Sequence, residues 1–257
     1  MKILVFVPCY NCEKQIVRTL EGIDKILTAC PVIQGVYLID NRSVDATLAE
    51  AFQTISGLSN KEKFQVYRNY ENAGLGGSHK IAFTLARESG ATHLLVFHGD
   101  HQASSDDIAA LIEESSTHEE VTVLGSRFAD LSKLSGYSLT RKFGNLSLNI
   151  IYSGVTRKDI TDLGSGLNLF RISDFNSDDL QNFDNGFTFN MDLLLYLVRT
   201  HKIFRYIPIR WSTTDQVSNA HSLKVGFKTL FKLGSWILYR SPENKAHTAS
   251  ERVTSAK

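Results

Sequence analysis

The chain predicts an α/β fold, a mostly parallel sheet flanked by helices with a C-terminal amphipathic helix. Three observations predict it. Short apolar runs recur along the chain, each stopping in a polar or glycine cluster, and segments of helical periodicity lie between them. The run Leu94-Leu95-Val96-Phe97 stops abruptly in His98-Gly99-Asp100-His101-Gln102, as a buried strand does when it ends at a ligand-binding rim. The length of 257 residues, with 42% apolar and 21% charged residues, suits a soluble protein with a sizeable core.

The elements follow in order. Ile3 to Val7 reads as the first buried strand, closed by Pro8-Cys9-Tyr10-Asn11. From Glu13 to Leu27, the residues Ile16, Leu20, Ile23 and Leu27 share one helical face. The second strand, Gly35 to Ile39, stops at Asp40-Asn41-Arg42-Ser43-Val44-Asp45-Ala46-Thr47, with a helix capped by Ser43 or Asp45. Phe64 to Tyr67 is a third strand, closed by Asn69 to Gly77, and a helix runs from Ser78 towards Arg87. After Gln102 comes an amphipathic helix, Ser105 to Glu114, with Asp106 and Asp107 well placed in its first turn. The strand Val121 to Leu124 ends at Gly125-Ser126-Arg127, and Leu131 to Thr140 reads as a loop or flap. Arg141-Lys142 opens a helix through Leu146, Ile150 and Ile151, and the polar loop Asp159 to Gly166 leads into the strand Leu167 to Phe170. Asn190-Met191-Asp192 opens a strongly apolar helix, and the proline of the late strand Ile203 to Ile209 favours an edge or a bulge.

Lys224, Lys228 and Lys232 share one face of the segment Leu223 to Arg240. That segment reads either as an interfacial helix with snorkelling lysines or as a core-packing helix with a solvated stripe. The expected organisation is a domain over 1–222, this helix over 223–240, and a polar, disordered tail over 241–257. No apolar run reaches the ~18 residues that span a bilayer, and the opening lacks a signal-peptide cleavage site. Cys9, Cys12 and Cys30 form no disulfide framework, and no second cysteine pair completes a zinc site with Cys9 and Cys12. A reducing cytosolic setting follows. The net charge of +1 argues against nucleic acid as a partner.

The chemistry gathers at strand ends. In a doubly wound sheet, Pro8-Tyr10-Asn11, Asp40-Asn41-Ser43-Asp45 and His98-Asp100-Gln102 land on one rim, which suits a nucleotide with a cation-bridged pyrophosphate. Oxygen ligands from Asp100 and Gln102, with the His98 imidazole nearby, suit Mg²⁺ or Mn²⁺. The fork of Arg127 suits a phosphate. Asn72-Ala73-Gly74-Leu75-Gly76-Gly77 is not G-x-G-x-x-G and follows the third strand, so NAD is disfavoured; no Walker loop occurs. A tight turn is the better account of these glycines. Asp192 reads as a general base or as a first-turn helix carboxylate.

The order Pro8-x-Tyr10-Asn11, Asp40-Asn41-x-Ser43-x-Asp45-x-Thr47, Asn72-x-Gly74, Gly99-Asp100-x-Gln102 and Gly125-Ser126-Arg127 resembles the family 2 glycosyltransferases of GT-A fold. Asp162-Leu163-Gly164-Ser165-Gly166 and Ser222-Leu223-Lys224 resemble the branch of polyprenyl-phosphate (dolichyl-phosphate) mannose or glucose synthases. The resemblance implies inverting transfer of a hexose from a GDP- or UDP-linked sugar to a polyprenyl-phosphate or glycan acceptor, with Mg²⁺ or Mn²⁺. Position by position, it implies that Pro8, Tyr10, Asn11 and Asp40 line the nucleoside, with Asn41, Asn72, Gly74 and Gly99 in the substrate-binding set. Asp100 and Gln102 would ligate the metal, with His98 in the place of the motif's first acidic residue. Arg127 and Arg141 would face a phosphate, Asp162 would sit by the sugar, and Ser222 and Lys224 would close over the diphosphate. For a hydroxyl acceptor, Asp192 or Asp162 would be the base. Cys12 stands where the family has an acidic residue. Members of this branch often carry transmembrane helices, and without them the 223–240 helix would supply peripheral contact at the inner membrane face. Two readings compete: a noncatalytic sugar-nucleotide-binding scaffold, motivated by His98, and a nucleotidyltransferase. The latter calls for a Gly- and Arg/Lys-rich first loop, unlike Pro8-Cys9-Tyr10-Asn11.

Overall fold

A computed structural model describes residues 1–118, 121–213 and 222–238 of the chain, with side chains of the last segment described from residue 225 onward. The first half alternates strand and helix: β1 (Ile3–Cys9), α1 (Ile16–Ala29), β2 (Ile33–Asp40), α2 (Thr47–Gly57), β3 (Phe64–Arg68), α3 (Gly74–Glu88), β4 (His93–Phe97), α4 (Ile108–Thr117) and β5 (Thr122–Ser126). Then come β6 (Leu134–Ser135), α5 (Leu139–Thr156), β7 (Leu167–Arg171), α6 (Ser177–Gln181), α7 (Phe189–Arg199), β8 (Phe204–Pro208), β9 (Trp211–Ser212) and α8 (Ser222–Leu238).

The main sheet runs β3-β2-β1-β4-β7-β5-β8. All its pairings are parallel except those of β7, which lies antiparallel to both β4 and β5. The expected mostly parallel sheet is therefore present, with one reversed strand that the apolar pattern of Leu167 to Phe170 does not announce. Because β7 runs backwards, its entrance falls on the same rim as its neighbours' exits. The Asp159 to Gly166 loop is thereby delivered to the strand-end rim. Pro208 closes β8 at the sheet edge, where its missing N–H costs no ladder bond.

Alternation along the strands divides the core in two. Ile3, Val5 and Val7 face α1 and α4, while Leu4 and Phe6 face α3 and α7. Ile16, Leu20, Ile23 and Leu27 of α1 are all buried, as their spacing requires. α3 starts at Gly74, ahead of the expected Ser78, with its first-turn amides at Gly76 and Gly77 satisfied by the Asn185 carbonyl; the approach of the Asp184 and Asn185 carbonyls leaves no room for a side chain at Gly74 or Gly76. The expected 131–140 flap is ordered as a short 3₁₀ turn and as β6, which pairs with β9. The expected tail, 241–257, lies outside the described residues.

α8 packs on the body of the molecule through one side, as its core-packing reading expects, but Lys232 of the expected solvated stripe pairs with Asp192. Thr229 and Leu233 are buried, Tyr152 of α5 donates to the Thr229 carbonyl (2.7 Å), and Trp236 Nε1 donates to the Leu195 carbonyl of α7 (3.3 Å). Its other side leaves Phe227, Leu230, Phe231, Ile237 and Leu238 exposed. No helix among the described residues is long and apolar enough to cross a membrane.

Candidate active site at the strand-end rim

Two loops, after β1 and β2, are tied into one lattice. Asn11 N donates to Ser43 Oγ (3.0 Å), Val44 N to Asn11 Oδ1 (3.0 Å), and Cys12 N to Thr47 Oγ1 (2.8 Å). Glu13 N donates to Asp45 Oδ2 (3.2 Å) and Glu13 Oε2 accepts from Ala46 N (2.9 Å) across the same seam. Asn11 holds a positive φ of 50°, a conformation that asparagine tolerates better than most residues. Tyr10 is left 39% exposed at the mouth of this seam.

Several expected substrate contacts are instead parts of the lattice. Asp40 is fully buried; its carboxylate accepts from Ser43 N (3.1 Å) and pairs with Arg68 Nε (3.2 Å). The Asn41 amide donates to Asn72 Oδ1 and accepts from Asn69 Nδ2 and Ala73 N, all within 2.9 Å. Asn72 Oδ1 also accepts from Gly74 N (3.0 Å), and the Asn185 carbonyl fills the space beside Gly74. Asp40, Asn41, Asn72 and Gly74 therefore shape the rim rather than offer it open polar groups. The N-terminal amides of α3, at Gly76 and Gly77, donate to the Asn185 carbonyl, so these glycines serve close packing and not a phosphate.

The loop after β4 lies against this lattice. Gly99 N donates to the Pro8 carbonyl (3.1 Å), and a Cβ at Gly99 would stand 2.7 Å from Cys9 Sγ. Glycine is required there by the close approach. Asp100 follows at once, and its Oδ1 accepts from Gln102 N (3.3 Å). Burial first, then the Cys12 thiol and the charges of Asp40 and Asp100, push the Cys9 thiol up, so both carboxylates act on one point under the rim.

His98 sits at the junction with the next loop. Its N–H donates to the Gly166 carbonyl (3.0 Å), and its ring lies so close over Gly166 that a Cβ there would stand 2.8 Å from Cγ. The ring meets His79 edge-on at 6.2 Å, and His98 Nε2 is buried without a hydrogen-bond partner. Burial and then the Arg127 charge pull its pKa to about 4, so the imidazole is neutral at pH 7. Among the described residues no three His, Cys, Asp or Glu side chains cluster as a metal site. The donor set nonetheless fits a hard cation: carboxylate and amide oxygens at Asp100 and Gln102, and a neutral imidazole with an unpartnered nitrogen at His98. Such a site depends on substrate oxygens and water to complete its shell.

On the far side stands a clasp. Arg127, at the exit of β5, grips Asp162 through Nε–Oδ2 (2.8 Å) and Nη2–Oδ1 (2.7 Å), and also donates to the Gly164 carbonyl (2.9 Å). Phe128, Tyr137 and Trp211 surround the guanidinium at 5.1–5.9 Å. Burial lowers its pKa, but the charge and hydrogen bonds of Asp162 outweigh that and hold it above the ordinary arginine range. The expected phosphate fork is thus already engaged, and Arg127 holds the 162–166 loop in place. Arg141 lies in the first turn of α5.

Asp192 is engaged as well. Both its oxygens stand 2.6 Å from Lys232 Nζ of α8, and one accepts from Asp184 N (2.8 Å). The first-turn reading of Asp192 describes this geometry better than that of a free base. Ser222 and Lys224 open α8, and their side chains lie outside the described ones. Sequence reasoning missed Arg68, Lys232 and the aromatic cage of Arg127. A charge ending β3 was a signal for Arg68, whereas nothing local ties Trp211 to Arg127.

Residues 4–177 match the model of glycosyl transferase family 2. The chain belongs to that family. It is 27% identical over 241 residues to an uncharacterized protein of Methanocaldococcus jannaschii, covering 90% of each. It is 24% identical over 241 residues to a UDP-N-acetylglucosamine–dolichyl-phosphate N-acetylglucosaminyltransferase of Methanococcus voltae, covering 90% of this chain and 94% of the relative. Its fold is like that of glucosyl-3-phosphoglycerate synthase from Mycobacterium tuberculosis, crystallised with Mn²⁺, uridine diphosphate and phosphoglyceric acid. The TM-score is 0.61 at 12% identity, covering 90% of this chain and 78% of that one. The fold is GT-A, and the chain is a glycosyltransferase.

Proposed function

We propose that this glycosyltransferase moves a hexose from a nucleotide sugar, uridine- or guanosine-linked, to the phosphate of a polyprenyl lipid at a membrane surface, with inversion. The apolar face of α5 and α8 carries this reading. The two helices touch through Tyr152 and Thr229 and leave Leu139, Phe143, Ile150, Phe227, Phe231 and Leu238 exposed. A face of this kind suits partial burial at a bilayer surface. The methanococcal relative's dolichyl-phosphate acceptor and the uridine nucleotides of the relative and the structural neighbour support the same reading.

In the proposed step an acceptor phosphate oxygen attacks the anomeric carbon, the bond from that carbon to the diphosphate breaks, and the nucleoside diphosphate leaves with the electron pair. A phosphate monoester is already anionic near neutral pH, so no free base is needed, which fits the engagement of Asp192 by Lys232. Tyr10 and Asn11 would border the nucleoside, with Pro8 and Gly99 shaping its floor. Asp100 and Gln102 would hold Mg²⁺ or Mn²⁺, with His98 as a third donor. When bound, the cation supplies charge neutralisation for the diphosphate. Asp162, held by Arg127, orders the sugar side, and Arg141 meets the acceptor phosphate. Ser222 and Lys224 would close over the diphosphate.

Purified protein incubated with Mn²⁺, a panel of nucleotide sugars and a ten-carbon isoprenyl phosphate tests the reading. Sugar transfer that Asp100→Ala abolishes is expected. Donor binding without turnover on any acceptor would leave a noncatalytic scaffold, the alternative that His98 motivates. Co-sedimentation with anionic vesicles, lost when residues 223–257 are deleted, tests the membrane face.

A further inference from the structure

We propose that a groove between α5 and the Asp159–Thr161 segment seats the acceptor's isoprenoid chain, while its phosphate stays at the rim. The inference rests on the lipid-phosphate reading above. The groove has a volume of about 370 Å³, lined by Phe128, Leu146, Asn149, Ile150, Ser153 and the 159–161 segment. That is within the range of small-ligand sites, roughly 300–1,000 Å³. Its helical wall, from Leu146 to Ser153, is a stripe at three- and four-residue spacing, so these side chains share one face.

The stripe and the opposite wall are joined by hydrogen bonds, while Asn149 Oδ1 and Thr161 Oγ1 stay buried without a partner. Asn149 Nδ2 donates to the Thr161 carbonyl (2.6 Å), and Ser153 Oγ accepts from Ile160 N (3.0 Å). Hydrocarbon remains for a ligand to touch: Phe128, Leu146 and Ile150, the last 71% exposed.

Place and polarity argue for an amphiphile. Phe128 and Thr161 are the chain neighbours of Arg127 and Asp162, so the groove begins at the clasp. The first turn of α5 carries Arg141 and Lys142 at the positive end of the helix, and its apolar stripe begins one turn later. An anionic head followed by a hydrocarbon tail has the same order. Asp159, on the opposite wall towards the end of the stripe, opposes the reverse orientation.

The test uses soluble acceptors, so that vesicle binding does not intervene. Methyl phosphate and a ten-carbon isoprenyl phosphate are compared for KM in turnover, and for affinity by calorimetry without donor. The wild type is expected to favour the long chain at least about tenfold, the effect of burying two methylene groups. Ile150→Asn, at an exposed position that folding tolerates, should remove most of that preference, as should Leu146→Asn. Ile203→Asn, at an exposed position off the groove, should keep it. Both groove variants retaining the full chain-length preference would overturn the proposal, as would a wild type that binds the two acceptors equally. Long-chain binding that depends on Ile150, without turnover on either phosphate, would keep the groove and refute the proposed reaction instead. Loss of vesicle binding with the preference intact in solution would assign these side chains to the bilayer alone, and also overturn it.

Discussion

Replacing Asp162 by asparagine puts the clasp under the sharpest strain. The carboxylate is almost fully buried, and the side chain of Arg127 is 12% exposed, so neither charge has water to fall back on. Asparagine keeps the shape and one acceptor, but turns an N–H₂ towards a guanidinium N–H that now sits 2.7–2.8 Å from an oxygen. The guanidinium keeps its charge and loses its counter-ion. Breaking a buried pair from one side costs about 3–5 kcal/mol, and the retained acceptor puts this variant near the lower figure. In a chain of this size that is a fall in Tm of roughly 6–12 °C. Thermal unfolding followed by circular dichroism measures it. The double variant Asp162→Asn/Arg127→Met removes the stranded charge and should recover part of the loss. A fall below about 1 kcal/mol, or a double variant as damaged as the sum of the singles, would refute the argument.

The remaining predictions concern the metal, the paired imidazoles and α8. Asp100→Asn should weaken Mn²⁺-dependent donor binding at least about tenfold, read by calorimetry with and without the metal; unchanged affinity would remove Asp100 from the cation site. Burial and then His98 pull His79 to about 3. The unfolded chain therefore takes up a proton near pH 6.5 that the folded chain refuses, and stability falls as pH drops from there towards 3. At pH 5 His79 accounts for roughly 2 kcal/mol of loss and His98, pulled to about 4, for a similar amount, so His79→Phe should about halve that slope in a Tm series without divalent cations. Lys232→Met should cost about 1.5–3 kcal/mol, the range for a hydrogen bond to a charged group. It should also shift Trp236 emission to the red as α8 loosens from α7. Gly166→Ala forces a methyl onto the His98 ring and should cost about 1–3 kcal/mol by overpacking.

Strand ends were legible in the sequence because apolar runs stop visibly, and the rim follows from parallel pairing. Ile16, Leu20, Ile23 and Leu27 announced their own burial. What periodicity cannot carry is direction and partnership. Leu167 to Phe170 reads the same forwards and backwards, so the reversal of β7 was hidden. Asp40, Asn41 and Asn72 read as nucleotide-lining residues because their chemistry suits a ligand, and the bonds that tie them to Ser43, Asn69 and one another are not legible along the chain. Arg127 and Asp162 were each named, but nothing along the chain says that two residues 35 apart form one pair. His98 was visible as a departure from the motif, and its place over Gly166 was not.

That pair has a consequence for how this enzyme could diversify. Everything from Phe128 to Thr161 leaves the sheet and returns at a single buckle, while β6 pairs with β9, Tyr152 and Ile160 enter one core cluster and Tyr137 packs on the other. The two ends of that excursion are therefore held in one fixed register by the ion pair. A change of length inside it leaves that register intact only where the arginine and the aspartate are inherited together and the side chains it sends into the core keep their size.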